Sequence, residues 1–180
     1  RDRTIAKMSP EEWDAVIRVH LRGHYALTHA ACAYWKEHGG QPNTGHIVCT
    51  ASTSGLLGNF GQANYGAAKA GIAAFSTIVA QEMARYGVTC NAIAPAARTR
   101  MTEGAFADKM AKPADGFDVQ DPDNIASTVV WLGSKDSAGV TGCVFDLGGG
   151  RITIEDGWMD GPTVNKGARW EPKEVGAAVR

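Results

Sequence analysis

The chain lacks a surplus of either charge: 18 Lys and Arg stand against 19 Asp and Glu, a formal net charge of −1 over 180 residues. Nothing in that balance favours nucleic acid or an anionic membrane surface as a partner. Long hydrophobic runs are lacking too. No stretch approaches the ~20 apolar residues of a membrane-spanning helix. No basic segment followed by an apolar core and a cleavage site opens the chain, so no secretory leader is legible. Cysteine is scarce: Cys32, Cys49, Cys90 and Cys143 lie far apart, form no C-x-x-C pair and sit among Ala, Val, Ile or Phe. That usage reads as reduced thiols in a cytoplasmic protein. His20 and His24 are spaced to share a helix face, but no carboxylate or cysteine beside them completes a ligand set, and no metal is expected. An initiator methionine is absent as well; the opening "RDRTIAKM" reads as part of something longer.

What is present suits one domain with a substantial core, at 44% hydrophobic and 21% charged residues. In "SPEEWDAVIRVHLRGHYALTHAACAYWKEHGG", Ser9 is a natural N-cap, Pro10 suits the first helical position and Glu12 completes a capping box. Trp13, Val16, Ile17, His20, Leu21, Tyr25 and Thr28 recur at helical spacing until Gly39 and Gly40. "HIVCTA" and "VTCNAIA" read as strands covered on both faces, the second stopped by Pro95. Between them a loop leads into a long helix over 63–86, closed by Gly87. "RTRMTEGAFADKMAKP" reads as a lid loop with a short helix, in which Met101, Phe106 and Met110 either touch an apolar substrate or pack the loop. Asp121 and Pro122 open a third helix, and "TGCVFDLGGG" is a last strand. From Arg151 onward little periodicity remains, and a mostly irregular tail is expected. Alternating helices and strands imply an α/β domain with a parallel sheet, here of three strands.

The chemistry centres on "NYGAAKAG", residues 64–71, where Tyr65 and Lys69 stand one helical turn apart among small residues. A free tyrosine, with a pKa of about 10, is a poor base near neutrality; a nearby ammonium favours its phenolate. The small neighbours let the helix approach the sheet and leave room for a flat ligand. Ser52 lies thirteen residues before Tyr65, at the carboxyl end of an expected strand, where open α/β sheets collect ligands. Its hydroxyl suits holding a carbonyl or alcohol oxygen. Ser52 would orient the substrate, Tyr65 exchange its proton and Lys69 tune Tyr65. Hydride needs a cofactor, because no side chain carries one. His24, His29, His38 and His46 read as surface or helix-packing groups.

"TASTSGLLGNFGQANYGAAKAG" resembles the catalytic segment of the short-chain dehydrogenase/reductases, with the serine, the thirteen-residue spacing and Tyr-x-x-x-Lys. "NAIAP" and "TGCVFDLGGG" extend the resemblance to nearly the whole of 4–150. "VHLRG", "GNFGQANY", "IAPAARTRMT" and "GARWEP" look closest to the (3R)-hydroxyacyl-CoA dehydrogenase domains of multifunctional β-oxidation enzymes and their bacterial relatives. The resemblance implies a Rossmann-type doubly wound sheet, NAD or NADP as cofactor, and a 3-hydroxyacyl-CoA or steroid-like substrate. It also implies a homodimer or homotetramer, with surplus apolar positions on the long helices as the contact. Residues 1–150 would be the carboxyl-terminal part of one such domain and 151–180 an extension.

The resemblance makes Ser52, Tyr65 and Lys69 catalytic, with Tyr65 and Lys69 also touching cofactor. It places Pro95, Arg98 and Thr99 beside the nicotinamide amide. Where many members have a relay asparagine, this chain has His20, which either serves in a relay or packs. The family's T-G-x-x-x-G-x-G turn and Asn-Asn-Ala-Gly strand end have no counterpart here, so the amino-terminal cofactor-binding half is expected to be missing. "DLGGG" does not replace that turn, because no helix follows it; a strand end and subunit contact is the favoured reading. A competing expectation is a catalytically silent chain acting as an interaction subunit through an unpaired first strand.

Overall fold

The structure, a computed structural model, describes residues 2–105 and 110–179. Phe106 lies outside the described residues. Helix α1, Pro10–Ile17, starts on the full capping box: Ser9 Oγ accepts from the Glu12 amide and the Glu12 carboxylate accepts from the Ser9 amide, both at 3.2 Å. It runs through a π-helical turn, Arg18–Arg22, into α2, Gly23–His38. Then follow β1, Gly45–Thr50; α3, a single turn over Thr53–Leu56; α4, Ala63–Met83; and β2, Val88–Ala96. A 3₁₀ turn, Ala84–Tyr86, extends α4 to Gly87, whose φ of 72° places it in the left-handed region. A β-carbon there would meet the Gln41 carbonyl oxygen at 1.8 Å, so only glycine can cap this helix. The chain closes with α5, Arg100–Ala105; α6, Asp123–Leu132; β3, Val144–Gly148; β4, Arg151–Glu155; and α7, Pro172–Ala178.

The sheet order is β1-β2-β3-β4. β1 and β3 flank β2 in parallel, while β4 returns antiparallel to β3. Alternation sends Cys49, Ala51, Val88, Cys90 and Ala92 to one face, against Ile72, Ala73, Val79, Ala80 and Met83 of α4. Ile93, Phe145 and Leu147 face the other way, against Leu132 of α6. Helices thus cover both faces, and β2 is buried from Val88 to Ala94, which explains its unbroken apolar reading. Thr89 and Asn91 are the polar exceptions, and Asn91 is the more deeply buried. Asn91 donates to the Val140 carbonyl at 2.9 Å and accepts from the Cys143 amide at 3.1 Å, tying the approach to β3 onto β2.

Four expectations change. The sheet has four strands and is mixed, because β4 forms from the start of the tail, with Ile152 and Ile154 extending the α6-side face into solvent. The tail also holds α7, so it is less irregular than its weak periodicity implies. Pro95 does not stop its strand: β2 runs one residue further, to Ala96, with Pro95 opposite Leu147. The third helix is one residue shorter than expected, starting at Asp123 with Pro122 at its N-cap position, while Asp121 Oδ1 accepts from the Asp123 amide at 2.9 Å. The four cysteines are unpaired as thiols, with Cys49 and Cys90 buried. No helix of the described residues is long and apolar enough to cross a membrane.

Candidate active site

The site grows from the carboxyl end of β1. The Ala51 amide donates to the Ile93 carbonyl of β2 at 2.7 Å, the last rung of the ladder. Ser52 then caps α3, its Oγ accepting from the Ser54 amide at 3.2 Å. α3 lies directly on α4, and two glycines permit the approach. A β-carbon on Gly55 would fall 2.4 Å from the Ala70 nitrogen and 2.6 Å from the Lys69 carbonyl carbon; one on Gly66 would fall 3.0 Å from the Ser54 carbonyl oxygen. The small-residue run of α4 therefore serves α3 as well as the sheet. Gly71, on another side, meets Leu21 of the π turn.

Gly55→Ala is expected to lift α3 off α4, because the atoms it strikes belong to α4 and cannot yield. The cost is about 1–3 kcal/mol of stability, with Ser52 displaced and turnover reduced. Gly66→Ala, meeting one carbonyl at a marginal distance, should cost less. Chemical denaturation of the two variants checks the order; equal and negligible losses would mean that α3 is not wedged as described.

Tyr65 sits in the first turn of α4. Asn64 before it is fully buried, accepts from the Tyr65 amide at 2.8 Å and donates to the Glu12 carbonyl at 3.3 Å, fixing the start of α4 to α1. One turn on, Lys69 is only 5% exposed and its Nζ donates to the Thr50 carbonyl at 2.7 Å. The same Nζ lies 5.5 Å from the centre of the Tyr65 ring. Burial pushes the Lys69 ammonium below the ordinary lysine value of 10.5. The His20 ring, carried by the π turn, meets the Tyr65 ring edge-on, 5.2 Å between centres at 85°. Burial first, then Lys69 and His24, holds His20 below the usual histidine value, so it is neutral at pH 7. A π turn inserts an extra residue into the helical repeat and re-aims one side chain, a device common at functional sites.

Ser52, Tyr65, Lys69 and His20 are thus brought to one end of β1. The residues assigned to the nicotinamide divide. Pro95 is exposed at the end of β2, beside a cavity of about 260 Å³ lined by Ala96, Val119, Gln120 and 148–151. Arg98 is engaged within the loop. It pairs with Asp118, donates to the Met110 carbonyl at 3.0 Å and lies near Glu103, so it holds the loop together. Asp118, twenty residues away, is an acid that only the folded loop brings to it. Thr99 exchanges hydrogen bonds with Thr102 (amide to hydroxyl at 2.7 and 3.2 Å), a side chain–main chain cap at the start of α5. Met101, in the same helix, is 86% exposed.

Sequence reasoning missed Thr50, Asn64 and His24. Thr50 acts through its backbone and leaves no side-chain signal. Asn64 borders the motif, where a buried amide is hard to tell from a turn residue. His24 packs its helix against the strand end: its Nδ1 bonds the His20 carbonyl at 2.8 Å and its Nε2 accepts from the Thr50 amide at 3.1 Å. Among the described residues no group of three or more His, Cys, Asp or Glu gathers to hold a metal ion.

The residues present fit one end of a nicotinamide dinucleotide. Lys69 uses one N–H on Thr50 and keeps two for a ribose hydroxyl, and the open ends of β1 and β2 carry Ser52 and Pro95. Among the described residues, no glycine-rich turn leads from a parallel strand into a helix, so this part of the chain offers the pyrophosphate no cradle.

The family model described as enoyl-(acyl carrier protein) reductase matches residues 1–151. Hydroxyacyl-CoA dehydrogenase ChsB1 of Mycobacterium tuberculosis is 43% identical over all of this chain, which spans 58% of that protein. Peroxisomal multifunctional enzyme type 2 of Mus musculus is 39% identical over all of this chain, which covers 21% of it. A crystal structure of a short-chain dehydrogenase from Mycobacterium avium superposes with a TM-score of 0.86 at 50% identity, covering 99% of this chain and 59% of that one.

Proposed function

Because the chain belongs to the short-chain dehydrogenase/reductase family, we propose that its site interconverts a secondary alcohol and a ketone, with NAD or NADP as redox partner and a 3-hydroxyacyl thioester as substrate. The observation that carries the reading is the buried Lys69 ammonium, anchored on the Thr50 carbonyl beside the Tyr65 ring. A cation there, shielded from water, favours an oxyanion on its neighbour more than an exposed lysine would. The named activities of the relatives support the substrate class.

In the oxidation direction Ser52 Oγ holds the substrate hydroxyl as α3 presents it. The Tyr65 oxygen takes the hydroxyl proton, and the Lys69 ammonium steadies the phenolate that receives it. His20, neutral and edge-on to Tyr65, lies where it can pass that proton outward. Lys69 would hold the nicotinamide ribose with its remaining N–H groups. The nicotinamide, when bound, supplies the site that accepts or returns the hydride. In reduction the same groups run in reverse.

The protein carrying this chain, given NAD or NADP with a 3-hydroxyacyl-CoA, is expected to form the 3-ketoacyl-CoA with stoichiometric reduced nicotinamide. A hydroxysteroid turned over in its place would redirect the substrate class. Failure with both substrates and both cofactors would favour a silent interaction subunit.

A further inference from the structure

We propose that the outer edge of β4 is an interface with a second copy of this chain, the two β4 strands pairing antiparallel about a two-fold axis at Thr153. Among the described residues β4 pairs on one side only, with β3. In the doubly wound order, strands that precede β1 in the chain join the sheet beyond β1, at the opposite edge. The sequence of β4 is Arg151-Ile152-Thr153-Ile154-Glu155. Turned on itself about its middle residue, it sets Arg151 against the second copy's Glu155, Ile152 against its Ile154, and Thr153 against its Thr153. Opposite charges meet at both ends, and each isoleucine meets an isoleucine. A parallel pairing in register would set arginine against arginine and glutamate against glutamate.

The backbone agrees with that register. Gly148 and Arg151 face each other across the two-residue turn Gly149–Gly150, and such a turn closes on a pair that exchanges hydrogen bonds. Alternation from there turns Arg151, Thr153 and Glu155 inward to β3 and leaves the amides and carbonyls of Ile152 and Ile154 facing outward. These are the residues that the two-fold axis sets opposite each other, so each copy's Ile152 exchanges both bonds with the other's Ile154. Their side chains are 62% and 59% exposed, on the face that carries Phe145 and Leu147. Paired, the four isoleucines form one apolar stripe across the seam. On the other face Arg151 Nη1 donates to Asp146 at 2.9 Å and to Thr153 Oγ1 at 2.7 Å, while its Nε and Nη2 stay available for the second copy's Glu155. The edge carries no proline or lysine of the kind that blocks strand addition.

This surface is separate from the long helices expected to carry a subunit contact, so the two would add. A five-residue edge alone falls short of the ~800 Å² per partner of a standard interface, which makes the pairing concentration-dependent. The inference rests on no reading of the reaction.

In the protein carrying this chain, Thr153→Cys puts a thiol on the axis, in a pair without backbone bonds whose α-carbons lie about 4.5 Å apart, within reach of a disulfide. With oxidised glutathione as oxidant, it is expected to give a covalent dimer that mass spectrometry shows linked through position 153. Glu155→Cys, which the register keeps about 14 Å from its own copy, should not. Adding Ile152→Lys or Glu155→Arg to Thr153→Cys should lower the linked fraction about ten-fold. Ile152→Lys alone should halve the number of copies that sediment together at high protein concentration. No linkage at 153, equal linkage at 153 and 155, or a folded Ile152→Lys protein that links and sediments as before overturns the proposal. Should the lysine variant unfold, linkage at 153 against linkage at 155 decides alone.

Discussion

Tyr65→Phe is expected to lower turnover by about 10²- to 10⁴-fold, the range that a positioned proton-transfer group contributes, while the fold and cofactor affinity persist. The substitution removes one oxygen. The ring remains to meet His20 edge-on and to lie beside Lys69. Tyr65's tie to Asn64 runs through its backbone amide, which phenylalanine keeps. The variant therefore separates chemistry from structure: an unchanged unfolding midpoint with collapsed kcat is the expected pair of results. A kcat within about two-fold of wild type would remove Tyr65 from proton transfer, and a variant that unfolds would show the hydroxyl to be structural.

Lys69→Met should have the second-largest effect, and on several readouts. Methionine fills a similar volume among the same neighbours but leaves the Thr50 carbonyl without its donor and Tyr65 without a cation. Turnover in oxidation should fall, and the activity profile should move to higher pH, because the phenolate is less favoured once the cation is gone. Cofactor affinity should weaken as the ribose loses its donor. Stability offers an independent check on the sign. A lysine whose folded value lies below 10.5 binds fewer protons folded than unfolded in the window between the two values. Stability therefore rises with pH through that window, as the burial penalty on the ammonium is relieved. The wild type should show this rise just below 10.5 and Lys69→Met should not. An unchanged activity profile, with the same pH dependence of stability, would make Lys69 a solvated bystander.

Much of the site could be read before any coordinates because it depends on spacing along one segment. Ser52 follows a strand end and caps a one-turn helix, Tyr65 and Lys69 fall in the first turns of the helix stacked on it, and helical periodicity fixes those two on one side. The glycines that make the stacking possible, Gly55 and Gly66, lie inside the same quoted motif, but their purpose appears only when a β-carbon is placed on each. The capping box at Ser9 and Glu12 and the glycine stop at Gly87 were legible for the same local reason.

The unread features depend on contacts distant in sequence or on backbone. No residue type announces a π turn, so the segment 18–22 read as plain helix. Thr50 contributes an amide and a carbonyl, which every residue has. The pairing of Arg98 with Asp118 joins residues twenty apart, so no local spacing announces it. β4 does alternate, as "RITIE", but it is short and faces solvent with Ile152 and Ile154, so a sheet edge looked like an irregular tail.

The most direct single measurement is an NMR titration of the Lys69 side chain, followed through its ε-carbon, in the protein carrying this chain. A midpoint clearly below the 10.5 of an ordinary lysine is expected, as for an ammonium sealed between α4 and the end of β1. A midpoint at that value would show a solvated cation and contradict the site as proposed.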